Sequence, residues 1–208
     1  MKLSKGTRIT LLVVLLLVID QVIKILVKTN MTLGQSIHVS GNWFQILFIE
    51  NNGMAFGLQF GEGIGKLLLS LCRLVLIGLI IFYMRRLLKR SGTPTGVLVG
   101  LAFILCGAIG NMIDSMFYGL IFSASGPGTV ATFGGHYAPF LYGKVVDMFY
   151  FPIIDTTLPE SFPIWPGRHF IFFRPIFNFA DSCITCGAIY LLLFQWKFFA
   201  GGGKEENS

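Results

Sequence analysis

Four long runs of apolar residues constrain what this chain can fold into more than any other feature. A helix needs about 20 consecutive, mainly apolar residues to cross the hydrocarbon of a bilayer, and each run approaches that length. The runs cover approximately residues 9–27, 67–84, 96–118 and 176–194. We therefore expect a multi-pass membrane protein with four transmembrane helices.

The composition excludes a soluble domain. Apolar residues make up 54% of the 208 residues and charged residues only 12%, whereas about 25% of a soluble domain is charged. The net charge of +6 does not indicate a nucleic-acid partner, because the Lys and Arg residues cluster beside the apolar runs and form no basic face with interleaved aromatic residues. There is no internal repeat, and we expect residues 1–208 to form a single domain.

The basic residues predict the orientation of the chain in the membrane. Nine of the sixteen Lys and Arg residues lie in three short segments, which are the N-terminus, residues 85–94 and the C-terminus. The positive-inside rule places these segments in the cytoplasm. The first helix is expected to be retained, since no small-residue cleavage site follows it. Residues 28–66 and 119–175 are then the outer segments.

The outer segments carry signals for local structure that is not helical. Both are rich in Gly, Pro and aromatic residues, which suits backbone at the level of the lipid headgroups. Residues 43–49 have the pattern of a β-strand and precede the turn signal Asn51-Asn52-Gly53. The Gly-rich piece 123–135 is either a mobile flap or a simple loop. The predicted fold is an all-α membrane protein with a small β-like cradle and a loop on its outer, periplasmic face.

Four aspartates are predicted to lie at one depth. Asp20 falls in the outer half of the first helix, Asp114 near the outer end of the third, and Asp181 between one and two turns inside the fourth. Asp147 lies in the outer loop within an apolar stretch. A single buried carboxylate often serves only to join helices. Four at the same depth indicate a functional site, because ionisable groups in a membrane are costly.

Two asparagines accompany these carboxylates. Asn111 precedes Asp114 by three residues, and Asn178 precedes Asp181 by three. Residues three apart share a helical face, and an amide can hold a carboxylate or a substrate by hydrogen bonds.

Paired carboxylates suit acid–base chemistry. Two that share a site cannot both ionise easily, so one keeps its proton while the other acts as a base. Such a pair can activate water and protonate a leaving amine. Asp147 and Asp181 are the best candidates because they lie nearest the water interface, and Asp20 and Asp114 are then structural or substrate-orienting.

Five short segments carry a family resemblance. They are residues 20–24 (DQVIK), 51–57 (NNGMAFG), 107–114 (GAIGNMID), 145–147 (VVD) and 177–182 (FNFADS). In this order they resemble the D-x-x-x-K, N-x-G-x-A-F, G-x-x-G-N-x-x-D, V-V-D and F-N-x-A-D-S motifs of lipoprotein signal peptidase, the bacterial signal peptidase II family of membrane aspartyl proteases.

The resemblance implies a catalytic dyad of Asp147 and Asp181, the same pair that the spacing favours. It also implies that further residues bind the substrate or support the site, namely Asp20, Lys24, Asn51, Gly53, Asn111, Asp114, Asn178 and Ala180. The substrate would be a prolipoprotein whose lipobox cysteine already carries diacylglycerol, with cleavage just before that cysteine. The cyclic peptide antibiotic globomycin would be expected to inhibit the protein.

The resemblance further implies a location and a set of partners. The protein would lie in the bacterial cytoplasmic (inner) membrane, with cytoplasmic termini and a site near the outer face. We expect membrane lipids as surroundings, a monomer, and no metal or cofactor. Two departures from the family stand out, since Ser115 occupies a position where the family often has Arg, and the segment between Gly119 and Val145 is longer than expected.

Two other classes of function remain open. Cys183-x-x-Cys186 is a motif of thiol oxidoreductases, but cysteines in an apolar helix behave as small hydrophobic residues rather than as exposed reactive thiols. A transporter could use the carboxylates as a proton relay. Transporters usually show internal repeats, and a relay would spread its acids across the membrane. Arg73 in the second apolar run has no obvious role in the sequence; pairing with a carboxylate and snorkelling to the interface are both open to it.

Overall fold

The computed structural model describes residues 3–52, 64–161 and 163–201. Its long helices are α1 (Lys5–Asn30), α2 (Ile64–Lys89), α3 (Thr95–Ile113) and α5 (Phe179–Phe194). A π-helical turn (Asp114–Tyr118) and the short α4 (Gly119–Ile121) continue α3, and α6 (Trp196–Ala200) follows α5. All four predicted helices are present, and the first two are longer than expected at both ends.

Three of these helical stretches are long and apolar enough to cross a membrane. They are α1, α2, and α3 together with its continuation to Ile121. The fourth, α5, is apolar but has only 16 residues. At 1.5 Å per residue it is about 24 Å long, which is shorter than the roughly 30 Å of the hydrocarbon core.

The start of the fourth helix differs from the prediction at residue 176. Ile176–Phe177 forms a strand, and α5 begins only after Asn178, whose side chain caps the helix. Periodicity cannot separate a short buried strand from the beginning of a buried helix, so the apolar run was assigned wholly to the helix. As a result Asp181 lies in the first turn of α5 rather than between one and two turns inside it.

The cradle is a real β-sheet, so the fold is not all-α. Four antiparallel strands pair in the order β1-β2-β3-β6. They are β1 (Ser36–Ser40), β2 (Phe44–Asn51), β3 (Val145–Tyr150) and β6 (Ile176–Phe177). A separate hairpin consists of β4 (Ile154–Thr157) and β5 (His169–Phe172). The strand predicted at residues 43–49 is confirmed as β2, whereas Asp147 lies on β3 and not in a loop.

Glycines let α3 approach its neighbours closely. A Cβ at Gly107 would lie 2.2 Å from the carbonyl oxygen of Ala180 on α5, and one at Gly110 would lie 2.6 Å from a carboxylate oxygen of Asp20 on α1. Small residues at such positions are typical of helix pairs in membranes. The consequence is that α1, α3 and α5 bring their polar side chains together at one end of the bundle.

The Gly-rich segment 123–135 is a loop fixed by bridges. Phe122 pairs with Phe133, Gly126 with Thr129, and Val130 with Thr32 beyond the end of α1.

A buried ion cluster fastens this loop to the sheet. The Lys28 ammonium donates to Glu50 at 2.5 Å and to the Ser125 hydroxyl at 3.0 Å, and Lys144 reaches the other oxygen of Glu50 at 3.2 Å. Ser125 also donates to Glu50 at 2.9 Å. The cluster therefore joins α1, β2, the loop and the approach to β3.

Candidate active site

Asp147 is presented by the central part of the sheet. It lies on β3 opposite Ile49 of β2 and is buried. One carboxylate oxygen accepts a hydrogen bond from the amide of Asn178 at 2.7 Å, and the other accepts one from the amide of Asn51 at 3.2 Å. Both oxygens thus have a defined donor that belongs to a different element.

Asp181 is fixed by the start of α5. It forms a capping box with Asn178, in which the Asp181 backbone N–H donates to the Asn178 side chain at 2.9 Å and the Asn178 backbone N–H donates to the Asp181 carboxylate at 3.2 Å. The Asn111 amide of α3 donates to the other carboxylate oxygen at 2.8 Å. A helix N-terminus also favours a negative charge.

Asn178 donates hydrogen bonds to both carboxylates, to Asp147 from its side chain and to Asp181 from its backbone. Its side-chain amide donates to Asp147 and also to the Asn111 side-chain oxygen at 3.1 Å, while its own side-chain oxygen caps α5 beside Asp181. Asn178 was predicted to share a helical face with Asp181, but it is the N-cap residue and lies outside the helix. This position lets one fully buried side chain connect the strand β3 to α5.

Burial sets the protonation of Asp147. Removal from water raises its pKa to about 7, and the negative charge of Asp181 acts in the same direction. The hydrogen bonds from Asn51 and Asn178 lower the pKa, but by less. Asp147 is therefore protonated to a substantial degree near neutral pH.

A second group of charges, fully buried, lies next to Asp147 and Asp181 and is linked to them through Asn111. The Lys24 ammonium on α1 is 2.8 Å from Asp114 and 3.1 Å from Asp20, and all three side chains are fully buried. It also donates to the Asn111 side-chain oxygen at 2.9 Å. Lys24 is thus a partner for Asp114, although the residue after Asp114 is Ser115.

Asp20 and Asp114 each accept a hydrogen bond from the backbone next to one of the two candidate catalytic carboxylates. Asp20 accepts a hydrogen bond from the N–H of Ala180, the residue before Asp181, at 2.9 Å. Asp114 accepts one at 3.3 Å from the N–H of Val146, the residue before Asp147. The buried carboxylates of Asp20 and Asp114 therefore position the two chain segments that carry Asp181 and Asp147.

Gln21 is a member of the site that the sequence patterns did not single out. Its amide donates to Asp20 and to Asp114, each at 3.1 Å, and its side-chain oxygen accepts from the Tyr118 hydroxyl at 3.2 Å. The available signal was an uncharged polar residue beside an aspartate in the apolar run of α1.

The structure brings together nearly all of the residues that the sequence pointed to. Gly53 lies outside the described residues. The members in contact at one end of the bundle are Asp20, Lys24, Asn51, Asn111, Asp114, Asp147, Asn178, Ala180 and Asp181. The Cys183-x-x-Cys186 motif does not form a disulfide, since Cys183 is buried against Cys106 and Cys186 is exposed.

Comparisons with known proteins agree with this arrangement. A family model described as Signal peptidase (SPase) II matches residues 12–197. The lipoprotein signal peptidase of Porphyromonas gingivalis is 50% identical over 92% of this chain and 84% of its own length. That of Amoebophilus asiaticus is 40% identical over 86% of this chain and 73% of its own length.

Two solved structures share the fold. Both are described as bacterial membrane enzymes, with TM-scores of 0.58 and 0.60 at 23% and 22% identity. The first comparison covers 98% of this chain and 95% of the solved one, and the second covers 92% and 94%. Since the family model matches most of the chain and close relatives cover it almost fully, this protein belongs to the signal peptidase II family.

Proposed function

We propose that this protein removes the signal peptide from prolipoproteins, with Asp147 and Asp181 as an aspartyl catalytic dyad. The observation that carries the proposal is the sharing of Asn178, which donates to Asp147 and caps the helix at Asp181. The raised pKa of Asp147 supports it, because a peptidase dyad needs one protonated and one ionised carboxylate at working pH.

The chemistry follows from these two charge states. The ionised carboxylate takes a proton from a water molecule, whose oxygen forms a bond to the carbonyl carbon of the scissile peptide. The protonated carboxyl supports the developing tetrahedral intermediate by hydrogen bonding. The C–N bond then breaks, and a proton from the dyad goes to the leaving amine. The products are a free carboxylate on the signal peptide and a free amine on the lipoprotein.

The other polar residues have positioning roles in this proposal. Asn51, Asn111 and Asn178 orient the dyad through their amides. Asp20 and Asp114 accept hydrogen bonds from the backbone N–H groups just before Asp181 and Asp147, and Lys24 pairs with both of these carboxylates. Ala180 takes part through its backbone N–H, which donates to Asp20. Gly53 stays a predicted support residue from the sequence motif alone.

The location of the site supports a lipid-modified substrate. The dyad lies where α5 begins and α3 ends, at the end of the bundle remote from the basic segment after α2. We infer that this end faces outward from the bacterial cytoplasmic membrane and that both termini are cytoplasmic. A diacylglyceryl group on the cysteine would then stay among the membrane lipids while the peptide bond before it reaches the dyad. We further propose a single-domain monomer that globomycin-type cyclic peptides inhibit.

A cleavage assay tests the proposed function. The purified protein in detergent is incubated with a diacylglyceryl-modified prolipoprotein, and release of the signal peptide is followed by gel shift. Wild type and the control Asp155→Asn, which changes an exposed carboxylate on β4, should cleave. Asp147→Asn and Asp181→Asn should remain folded and inactive. Cleavage by either dyad variant would move the catalysis to other carboxylates, and a folded wild type that does not cleave would favour a transport function.

A further inference from the structure

Arg73 lies on the inward face of α2, a helix that otherwise presents mainly apolar side chains to its surroundings. Lys66, Ser70 and Arg73 follow one another at the spacing of a single helical face. The same face continues with Ile77, which packs in the apolar core of the bundle. Arg73 is partly buried there. Because a charge at such a position is costly in a membrane, it requires a compensating interaction.

Two hydrogen bonds show what this face of α2 contacts. The Lys66 ammonium donates to the Tyr142 carbonyl at 2.7 Å, and the Ser70 hydroxyl donates to the Leu141 carbonyl at 3.4 Å. These carbonyls come just before β3, the strand that carries Asp147. Arg73 lies one turn further along the same face, which directs it toward the carboxylates of the site.

The carboxylates near Arg73 differ in whether they already have a cationic partner. The carboxylates of Asp181, Asp114 and Asp147 attract the guanidinium, while the Lys66 ammonium on the same helix repels it. Asp114 already has Lys24 at 2.8 Å. Within residues 3–52, 64–161 and 163–201, neither Asp147 nor Asp181 has a cation within 4.0 Å, and Arg73 has no carboxylate within that distance.

We propose that Arg73 is a positioning residue for the reaction, whose positive charge favours the ionised forms of the dyad carboxylates. The inference rests on the proposed peptidase function.

The pH dependence of cleavage tests this role of Arg73. Among the residues that the structure describes, the charged groups that face the dyad are Asp114 at the end of α3, Lys24 with Asp20 on α1, and Arg73 on α2. Removing the Arg73 cation favours the protonated form of the pair, so both of its ionisations move to higher pH. For Arg73→Met we expect both limbs of the kcat/KM profile to shift upward by about 0.5–1 pH unit. On the acid limb that shift is a loss of about threefold to tenfold.

The variants are chosen so that a folding defect cannot imitate this result. Arg73→Met removes a charge from a membrane helix and is therefore expected to insert normally, and Arg73→Gln provides a second uncharged side chain. Arg73→Lys should restore the position of both limbs. Arg85→Met is the matched control, because it removes the same charge from the exposed far end of α2. Size-exclusion chromatography checks that each variant is monodisperse.

The substrate is a fluorogenic peptide with a lipobox and a diacylglyceryl cysteine. If both limbs of the kcat/KM profile stay in place in Arg73→Met, the proposed role of Arg73 is wrong. A lower plateau with unmoved limbs would indicate a structural residue, and a higher KM alone would indicate a substrate-binding residue. The proposed function fails separately, if wild type does not cleave or if Asp147→Asn and Asp181→Asn retain activity.

Discussion

At the residue scale, the sequence predicts the side chains of the site well but predicts their contact partners poorly. Asp20 and Asp114 stand out because carboxylates in apolar helices are costly. Their common partner Lys24 is indicated by its family motif. Its pairing with Asp20 is local, at a spacing of four residues, whereas its contact with Asp114 joins α1 to α3 across 90 positions of the chain. The local signal for Gln21 is a polar residue beside Asp20 in an apolar run, and it does not show that the amide contacts both Asp20 and Asp114.

The charge state of Asp147 gives a prediction about stability. Its pKa is raised to about 7 in the folded protein, above the ordinary value of 3.8. The folded state therefore binds this proton more tightly than the unfolded state, and stability falls as the pH rises from about 4 through 7. Asp147→Asn, which resembles the protonated form, should raise the melting temperature by several degrees at pH 8 and by much less at pH 5.

The intrinsic fluorescence of the protein in detergent, followed during heating, would measure this difference. Glu160→Gln, which changes an exposed carboxylate between β4 and β5, serves as the control, with no comparable pH-dependent gain expected. Equal gains for Asp147→Asn at pH 5 and pH 8 would contradict the raised pKa of Asp147.

At the scale of the elements, the helices could be predicted and the junctions between strand and helix could not. Long apolar runs determine α1, α2 and α3 through their length. Residues 176–177 are equally apolar, but they extend the sheet, because the N-cap at Asn178 starts α5 two residues later. The pairing of β3 with both β2 and β6 joins segments far apart in sequence, and no local pattern encodes it.

The close contact of α3 with α5 predicts a strong effect at one glycine. Gly107→Ala would place a Cβ about 2.2 Å from the backbone oxygen of Ala180, so α5 must move and carry Asp181 with it. We expect a lower melting temperature and at least about a tenfold loss of kcat, in line with the sensitivity of reactions to small misplacements.

Gly78→Ala on α2 is the matched control, since no atom of the described residues beyond the adjoining backbone of α2 lies within 4 Å of the added Cβ. It should leave cleavage unchanged and raise stability slightly, because Ala is the better helix former. Full activity of Gly107→Ala would show that the packing of α3 on α5 does not position the dyad.

The ion cluster at Glu50 predicts how the long loop is held. Burial opposes ionisation of Glu50, but the hydrogen bond and charge of Lys28 outweigh it and lower the pKa. The stabilisation is present above the ordinary pKa of Glu50 and is lost as the pH falls through its lowered value. Glu50→Gln should therefore speed hydrogen–deuterium exchange in residues 122–135 at neutral pH.

Glu160→Gln, which changes an exposed carboxylate in the hairpin, is the comparison for that exchange experiment. Protection of the loop that is the same in Glu50→Gln and wild type would mean that the backbone bridges alone hold it.

At the scale of the whole molecule, a helical bundle and a sheet meet at the site. The bundle contributes Lys24, Asn111 and Asp181, the sheet contributes Asn51 and Asp147, and Asn178 lies at the junction. The sequence predicted the helices and their carboxylates from composition and spacing. The extent of the sheet follows from tertiary pairing, which explains why an all-α fold was expected.

The central claim is that Asp147 and Asp181 act as one catalytic unit. Its most direct test is the cleavage rate of a diacylglyceryl-modified prolipoprotein by Asp147→Asn, Asp181→Asn and the double variant, with wild type and Asp155→Asn beside them. We predict that each single change lowers kcat/KM by about 10⁴-fold or more and that the double change lowers it no further, because neither half of the acid–base exchange works alone. Single losses that multiply in the double variant, or a single variant that still cleaves at near the wild-type rate, would contradict the claim.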